Sequence, residues 1–385
     1  VSQTANHGTA TDPRLSEAFR NPKDVAVLLK RIRSLAVELD VSAARPLLLM
    51  EVCGTHTMAI AKFGLRSVLP EGIRLLSGPG CPVCVTANYD IDRIIATSRI
   101  PGLTITTFGD MLRVPGSSSS LLERRAEGAE VLVVYSPLDA LAMAATDPER
   151  QVVFVGVGFE TTTPIVAAAV RRAAEADLRN FSVLAAHKRV PPALTALLAD
   201  PDLQLDGLIL PGHVSTILGE EPYAFIPRDF KIPAVICGFE PVDILECIAL
   251  LLEQVVCLRT GGELQVLNAY RRAVMPEGNP TARAVIEQVF DPTDAEWRGL
   301  GSIAGSGYQL QSQYAGFDAA ARFHPQVEPT VEPKGCRCGE VLRGIMAPND
   351  CPLFGKTCTP EHPVGPCMVS SEGSCAAYHN YRISI

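Results

Sequence analysis

The sequence predicts an α/β fold: two similar, consecutive parallel-sheet α/β domains and a smaller mixed domain after them. Three observations carry this expectation. Short apolar runs recur between residues 46 and 237, as strands buried on both faces require. Segments with apolar groups three and four residues apart alternate with them, as crossover helices do. Beyond residue 324 both patterns stop, and the chain becomes dense in Pro, Gly and Cys.

Taken in order, the opening VSQTANHGTATDPR lacks the basic-then-apolar pattern of a secretory signal and reads as a frayed tail. Residues 24–39 (DVAVLLKRIRSLAVEL) follow as an amphipathic helix. Tail and helix, 1–43, are expected to pack with the C-terminal domain. Strand candidates at 46–52, 73–76, 103–108 and 130–134 belong to a first α/β domain, 44–145. Those at 151–157, 181–185, 206–210 and 233–237 belong to a second, 146–260. Eight strands are too many for a comfortable single sheet, which is why the chain is divided near 145. Helical patterns at 88–98, 118–128, 138–145, 164–176, 191–199 and 241–256 supply the crossovers. GFE occurs at 158–160 and again at 238–240, each time after an apolar run, a thin hint of duplication. The remainder, 261–385, begins with helical patterns at 263–274 and 280–290 and a Gly/Ser-rich connection at 299–316. Its last part, 324–385, cannot bury a large core and calls for a metal or cross-links.

The 34 basic and 42 acidic residues leave a net charge of −8, which argues against a broad nucleic-acid-binding face. No apolar stretch reaches the roughly 18 residues of a membrane span. No nucleic-acid partner and no membrane association are expected, and a cytoplasmic location is.

Twelve cysteines set the chemistry. Cytoplasmic chains rarely keep so many as disulfides, so metal or redox chemistry is the stronger reading. Cys336, Cys338, Cys351, Cys358, Cys367 and Cys375 crowd into 40 residues. Four thiolates would satisfy one zinc or one [4Fe–4S] cluster, and two remain. The absence of Cys-x2-Cys knuckles in this run favours the iron–sulfur centre. The spare pair beside an electron carrier suits a redox-active disulfide.

Earlier in the chain, Cys53 and His56 lie in EVCGTHTM, directly after the first strand candidate. Three residues apart, they suit one face of a helical turn and a soft-ligand metal site, or else a small buried thiol beside a helix cap. Cys81 and Cys84 form CPVC, a redox dithiol or half a metal site. GVGFETTTP (156–164) lacks the Lys of a phosphate loop. Its Glu160, Thr161, Thr162 and Thr163 suit a partner or small-ligand loop, or a strand-to-helix turn with Pro164 in the first helical turn. His213 in PGHVS and His187 in AAHKRVPP also follow strand candidates, as catalytic groups or as members of a polar network. Cys237, Cys247 and Cys257 sit in apolar surroundings.

The set EVCGTHT, GPGCPVCVT, FGDMLRVPG, GFETTTP, PGHVS and the six-cysteine tail resembles the HypD family of [NiFe]-hydrogenase maturation proteins, from about residue 20 to the C-terminus. The resemblance implies two similar α/β domains and a third that carries a [4Fe–4S] cluster. It also implies a small HypC-like chaperone and a HypE-like cyanide donor as partners, and the building of an Fe(CN)2CO unit. On that likeness Cys336, Cys351, Cys358 and Cys375 are cluster ligands, and Cys338 and Cys367 are the redox pair. Cys53 holds the transient iron that carries CO and cyanide, His56 shares its motif, and Cys81 and Cys84 belong to a nearby thiol relay. The chain would then act as a redox-active assembly scaffold in complex with its partners. A stand-alone iron–sulfur disulfide reductase, or a docking scaffold braced by a structural cluster, remains open as an alternative.

Overall fold

The computed structural model describes residues 20–381, so the expected frayed tail lies almost wholly outside the described residues. All eight strand candidates form strands: β1 Leu47–Glu51, β2 Ile73–Ser77, β3 Leu103–Thr107, β4 Glu130–Val133, β5 Gln151–Gly156, β6 Phe181–Ala185, β7 Gly207–Pro211 and β8 Ala234–Cys237. A ninth, β9 Val266–Asn268, and an antiparallel hairpin, β10 Phe290–Trp297 with β11 Gly301–Leu310, complete the sheets.

The strands do not divide at residue 145. One five-stranded parallel sheet has the order β2-β1-β7-β8-β9, and a four-stranded parallel sheet has the order β4-β3-β5-β6. The expected consecutive domains, 44–145 and 146–260, are therefore corrected. β3 pairs with β5 across the supposed boundary, and β1 pairs with β7 over more than 150 residues of chain. The second sheet is an insertion between β2 and β7. A local apolar pattern marks strands but carries no information about which distant strand each one joins. The two sheets are nonetheless alike. Renumbered within each sheet, both begin 2-1-3-4, the doubly wound order that opens a crevice between its first and third strands. GFE follows the third strand of one sheet and the fourth of the other, so its recurrence does not mark equivalent positions.

The first helix, Pro22–Glu38, starts with Asn21 accepting a hydrogen bond from the Lys23 amide and Pro22 in its first turn. It was expected to lie on the C-terminal region. Instead it buries Ile32 and Ala36 against the helix Pro241–Arg259 and one face of the five-stranded sheet. The ion pairs Arg31–Glu253 and Arg20–Glu240 flank the seam. The long helix is apolar nearly all round because it is covered on two sides. The opposite face of this sheet packs on the inserted unit, the β10–β11 hairpin and the cysteine-rich tail in one continuous core.

The C-terminal region differs from expectation in two more places. Residues 263–274 form β9 and a turn rather than a helix, and the Gly/Ser-rich stretch is β11 of the hairpin. Trp297, buried there, stacks on Phe159 at 5.9 Å between ring centroids. The segment after His324 crosses the helix Asn88–Ser98 as a strap. Asn88 Nδ2 donates to the Val331 carbonyl at 2.7 Å, and buried Arg298 pairs with Glu332 at 2.9 Å. The tail then folds into short helices, Cys338–Leu342, Pro366–Val369 and Ser374–Asn380, beneath the first sheet.

Candidate thiol site

Cys53 follows β1 at the crevice between β1 and β7, and it caps the helix Gly54–Lys62. Its sulfur makes no cap hydrogen bond, and the nearby Thr55 and His56 amides favour its ionised form. Burial, helped by the Glu372 carboxylate, outweighs them and pushes the thiol up to about 12. Glu372 comes from the tail and accepts a hydrogen bond from Thr55 Oγ1 at 2.6 Å. A methyl group on Gly54 would stand 2.5 Å from the Glu372 carbonyl oxygen, so glycine is what lets the tail close on this loop.

The CPVC loop lies against the same turn. A side chain on Gly80 would overlap the backbone of Cys53, and the Gly54 amide donates to the Gly80 carbonyl at 2.9 Å. Cys81 caps the short helix Pro82–Val85 through its sulfur, which accepts from the Cys84 amide at 3.2 Å. Cys84 is fully buried and its thiol is pushed well up, burial being the main cause; its sulfur donates to the carbonyl of Pro366, the residue before Cys367, at 4.0 Å. Cys367 and Cys338 bring their sulfurs to 2.7 Å. All six tail cysteines line one small cavity, with Val341, Leu353, Phe354 and Met368 among its apolar walls. The structure thus joins Cys81 and Cys84 with Cys336, Cys338, Cys367 and Cys375 of the tail in one core, and the Cys53 turn abuts it through the backbone at Gly80.

The expected metal ligands do not form a single-ion site. Among the described residues no three His, Cys, Asp or Glu side chains are grouped to hold one metal ion. His56 keeps its Nδ1 buried and without a partner. Its Nε2 donates to the carbonyls of Gly238, at 2.9 Å, and Cys237, at 3.2 Å, while its ring stacks on Phe239. His213 stacks on the other side of Phe239, centroids 4.0 Å apart, and burial lowers its basicity. Cys237 and Cys247 are core thiols, and Cys257 is half-buried.

In the GFETTTP loop the hydroxyls of Thr162 and Thr163 turn back to the Phe159 carbonyl instead of capping amides, and Thr161 is exposed. Pro164 does occupy the first turn of the helix Thr163–Glu175. Glu160 is buried, with Oε1 accepting from the Val190 amide at 2.9 Å and no partner for Oε2. Burial pushes its carboxyl up to about 7. Two acids were not singled out by sequence. Glu51, the last residue of β1, is buried, accepts from Thr57 Oγ1 at 2.6 Å and is likewise pushed up to about 7 by burial. Its signal was a charged residue closing an otherwise apolar run. Glu372 left no such signal, because its role depends on how the tail docks.

A family model described as "HypD: Hydrogenase formation hypA family" matches residues 25–382. The chain belongs to the HypD family. It is 45% identical over 370 residues to the hydrogenase maturation factor HypD of Escherichia coli (strain K12), covering 96% of this chain and 98% of that protein. A putative hydrogenase expression/formation protein of Methanocaldococcus jannaschii is 44% identical over 366 residues, 94% of this chain and 99% of its own. The HypD of Rhodobacter capsulatus is 44% identical over 373 residues, with 96% and 98% covered. Family membership gives the chain a role in hydrogenase maturation. Among the described residues, no helix is long and apolar enough to cross a membrane.

Proposed function

We propose that the chain is the scaffold on which the Fe(CN)2CO unit of a [NiFe]-hydrogenase is assembled, with Cys53 as the thiolate for the incoming iron. The observation that carries the reading is the continuity of thiols from the Cys53 turn, through Cys81 and Cys84, to Cys367, Cys338 and the cavity lined by the tail cysteines. The donor set of that cavity suits a [4Fe–4S] cluster. Each thiolate of such a cluster binds its own iron, so four sulfurs surround a space rather than converge on a point. Cys336, Cys351, Cys358 and Cys375 would hold the cluster, leaving Cys338 and Cys367 as the close pair. When bound, it supplies electrons singly.

The residues themselves account for the rest of the task. Iron binding displaces the proton from Cys53, and the Thr55 and His56 amides compensate the thiolate. Burial of Cys53, Cys81 and Cys84 keeps water from the iron. Release of cyanide from a thiocyanate on a HypE-like partner breaks a sulfur–carbon bond and takes two electrons. A dithiol becoming a disulfide yields two electrons and two protons. One proton goes to the departing sulfur, and the other leaves as cyanide binds iron as an anion. Cys338/Cys367 and Cys81/Cys84 are the dithiols within reach. A HypC-like partner would complete the iron's coordination at the crevice.

The test is infrared spectroscopy of the anaerobically co-purified complex, paired with visible absorbance. Cys53→Ala is expected to lose the bands of iron-bound CO and cyanide and keep the brown colour. Cys351→Ala is expected to lose the colour. If Cys53→Ala loses the colour and keeps the bands, the two iron sites are wrongly assigned.

A further inference from the structure

We propose that the cavity under the β10–β11 hairpin, floored by Asp90, Arg93, His187 and Lys188, binds a small amino-carboxylate, independently of the thiol site. The cavity is open to solvent on one side and is walled by the helix Asn88–Ser98, the segment after β6 and both hairpin strands. It lies beyond the carboxyl end of β6, the outermost strand of the four-stranded sheet.

His187 is 1% exposed, and neither ring nitrogen has a hydrogen-bond partner. A neutral imidazole carries one donor and one acceptor, so both capacities are idle. Leaving such groups unmatched is costly, and buried polar groups in native proteins are otherwise matched by protein, water or ligand. The ring is held in place by Phe290 edge-on and by Gly156, where a methyl group would stand 2.5 Å from Cε1. Burial and the neighbouring Lys188 hold this histidine neutral at physiological pH.

Arg93 supplies a second idle donor. Its Nη2 donates to Asp90 at 3.0 Å and to the Ala185 carbonyl at 3.1 Å, but its buried Nε has no partner. Lys188 pairs with Asp90 at 2.9 Å. Two cations against one anion leave the floor one positive charge in excess. The mouth is the reverse. Asp294, Glu296 and Asp318 stand there, two of them already accepting backbone amides, from Gly305 and Ala320, and Glu296 exposed. A ligand that matches both ends puts a carboxylate on Arg93 and His187 and an ammonium toward Glu296. The acidic mouth disfavours phosphate and other multiply charged anions.

The experiment is a titration of the full chain, with histidines selectively isotope-labelled, followed by heteronuclear NMR. The probes are glycine, acetate and inorganic phosphate. Glycine should shift the His187 ring signal saturably below about 50 mM, a weak but specific affinity. Acetate should do so more weakly, and phosphate not at all. Arg93→Gln should abolish the glycine response. Glu296→Gln, a surface change that leaves the fold alone, should weaken glycine several-fold and leave acetate unchanged. Absence of a saturable His187 shift overturns the proposal. So does a response to phosphate equal to that for glycine, or equal glycine affinity in wild type and Glu296→Gln.

Discussion

Glu160→Gln isolates the energetic effect of an ionisable group that the GFETTTP loop keeps dry. The carboxyl accepts the Val190 amide through Oε1, and Oε2 has no partner. Burial raises it from 4.5 to about 7 against the backbone amides and Arg189, which favour the ionised form. Below the unfolded value both states hold the proton, and the stabilising effect of tighter proton binding in the native state is fully present. Between the two values the unfolded chain has lost its proton and the native chain has not, so stability falls as pH rises. Above the folded value both are ionised and the loss is complete. The shift of 7 − 4.5 = 2.5 units, at about 1.36 kcal/mol each, amounts to about 3 kcal/mol. Gln keeps the acceptor and resembles the protonated acid, so it lacks this fall. Glu51 titrates in the same window but is common to both proteins and cancels in the difference. The single tryptophan, Trp297, stacks on Phe159, next to Glu160, and its fluorescence reports unfolding of this part of the molecule. Anaerobic urea titrations at a series of pH values should show Glu160→Gln matching wild type near pH ~4.5 and exceeding it by about 3 kcal/mol at pH ~8. A gap that stays flat, or one that narrows as pH rises, refutes the reasoning.

Gly80→Ala should separate the Cys53 and CPVC turns; overpacking at backbone atoms costs about 1–3 kcal/mol, read as a lower urea midpoint, and the variant should retain less iron in the partner complex. Lys188→Met leaves the Asp90 carboxylate with Arg93 alone, and the loss should lie near the lower end of the roughly 3–5 kcal/mol for breaking a buried pair, measured by urea unfolding at neutral pH. Mild oxidation of protein stripped of metal should give a Cys338–Cys367 cross-link by peptide mass mapping. In Cys338→Ser the cross-link from Cys367 should pass to Cys375 or Cys84, the other two sulfurs that act on it. A Cys338→Ser protein with Cys84 still free would remove Cys84 from the relay.

What could be read from the chain was what is decided locally. Runs such as QVVFVGV and FSVLA announce buried parallel strands, and Pro at 137, 164 and 241 marks helix starts that the structure keeps. The nesting of the sheets could not be read, because β1 chooses β7 through packing over a distance that no window of sequence spans. The β10–β11 hairpin was hidden by its glycines and serines, whose small side chains blur the alternation of a strand while letting Ser306 accept a hydrogen bond from Trp297 Nε1 at 2.9 Å. At the site, the cysteine motifs stood out by type and spacing. The acids around them did not, since Glu51, Glu160 and Glu372 acquire their character from burial and from neighbours more than 200 residues away in the case of Glu372. His56 shows the same limit: its spacing from Cys53 could be read, but the carbonyls that orient its ring come from the end of β8.

The insertion of one sheet inside the other also dictates an order of events on the ribosome. When β2 has emerged, β1 has one partner, and its other edge waits for β7, about 130 residues later (207 − 77). At roughly 5–20 residues per second that is on the order of ten seconds. In that interval the inserted sheet has all four of its strands and can close first. The Cys53 turn has no crevice until β7 arrives, and Cys338 and Cys367 follow the end of β7 only after about 130 and 160 further residues (338 − 211 and 367 − 211). Nascent chains therefore carry the Cys53 thiol without the surroundings that enclose it. The fold's topology makes those surroundings a late product, since they come into being only after both β7 and the cysteine-rich tail have been made.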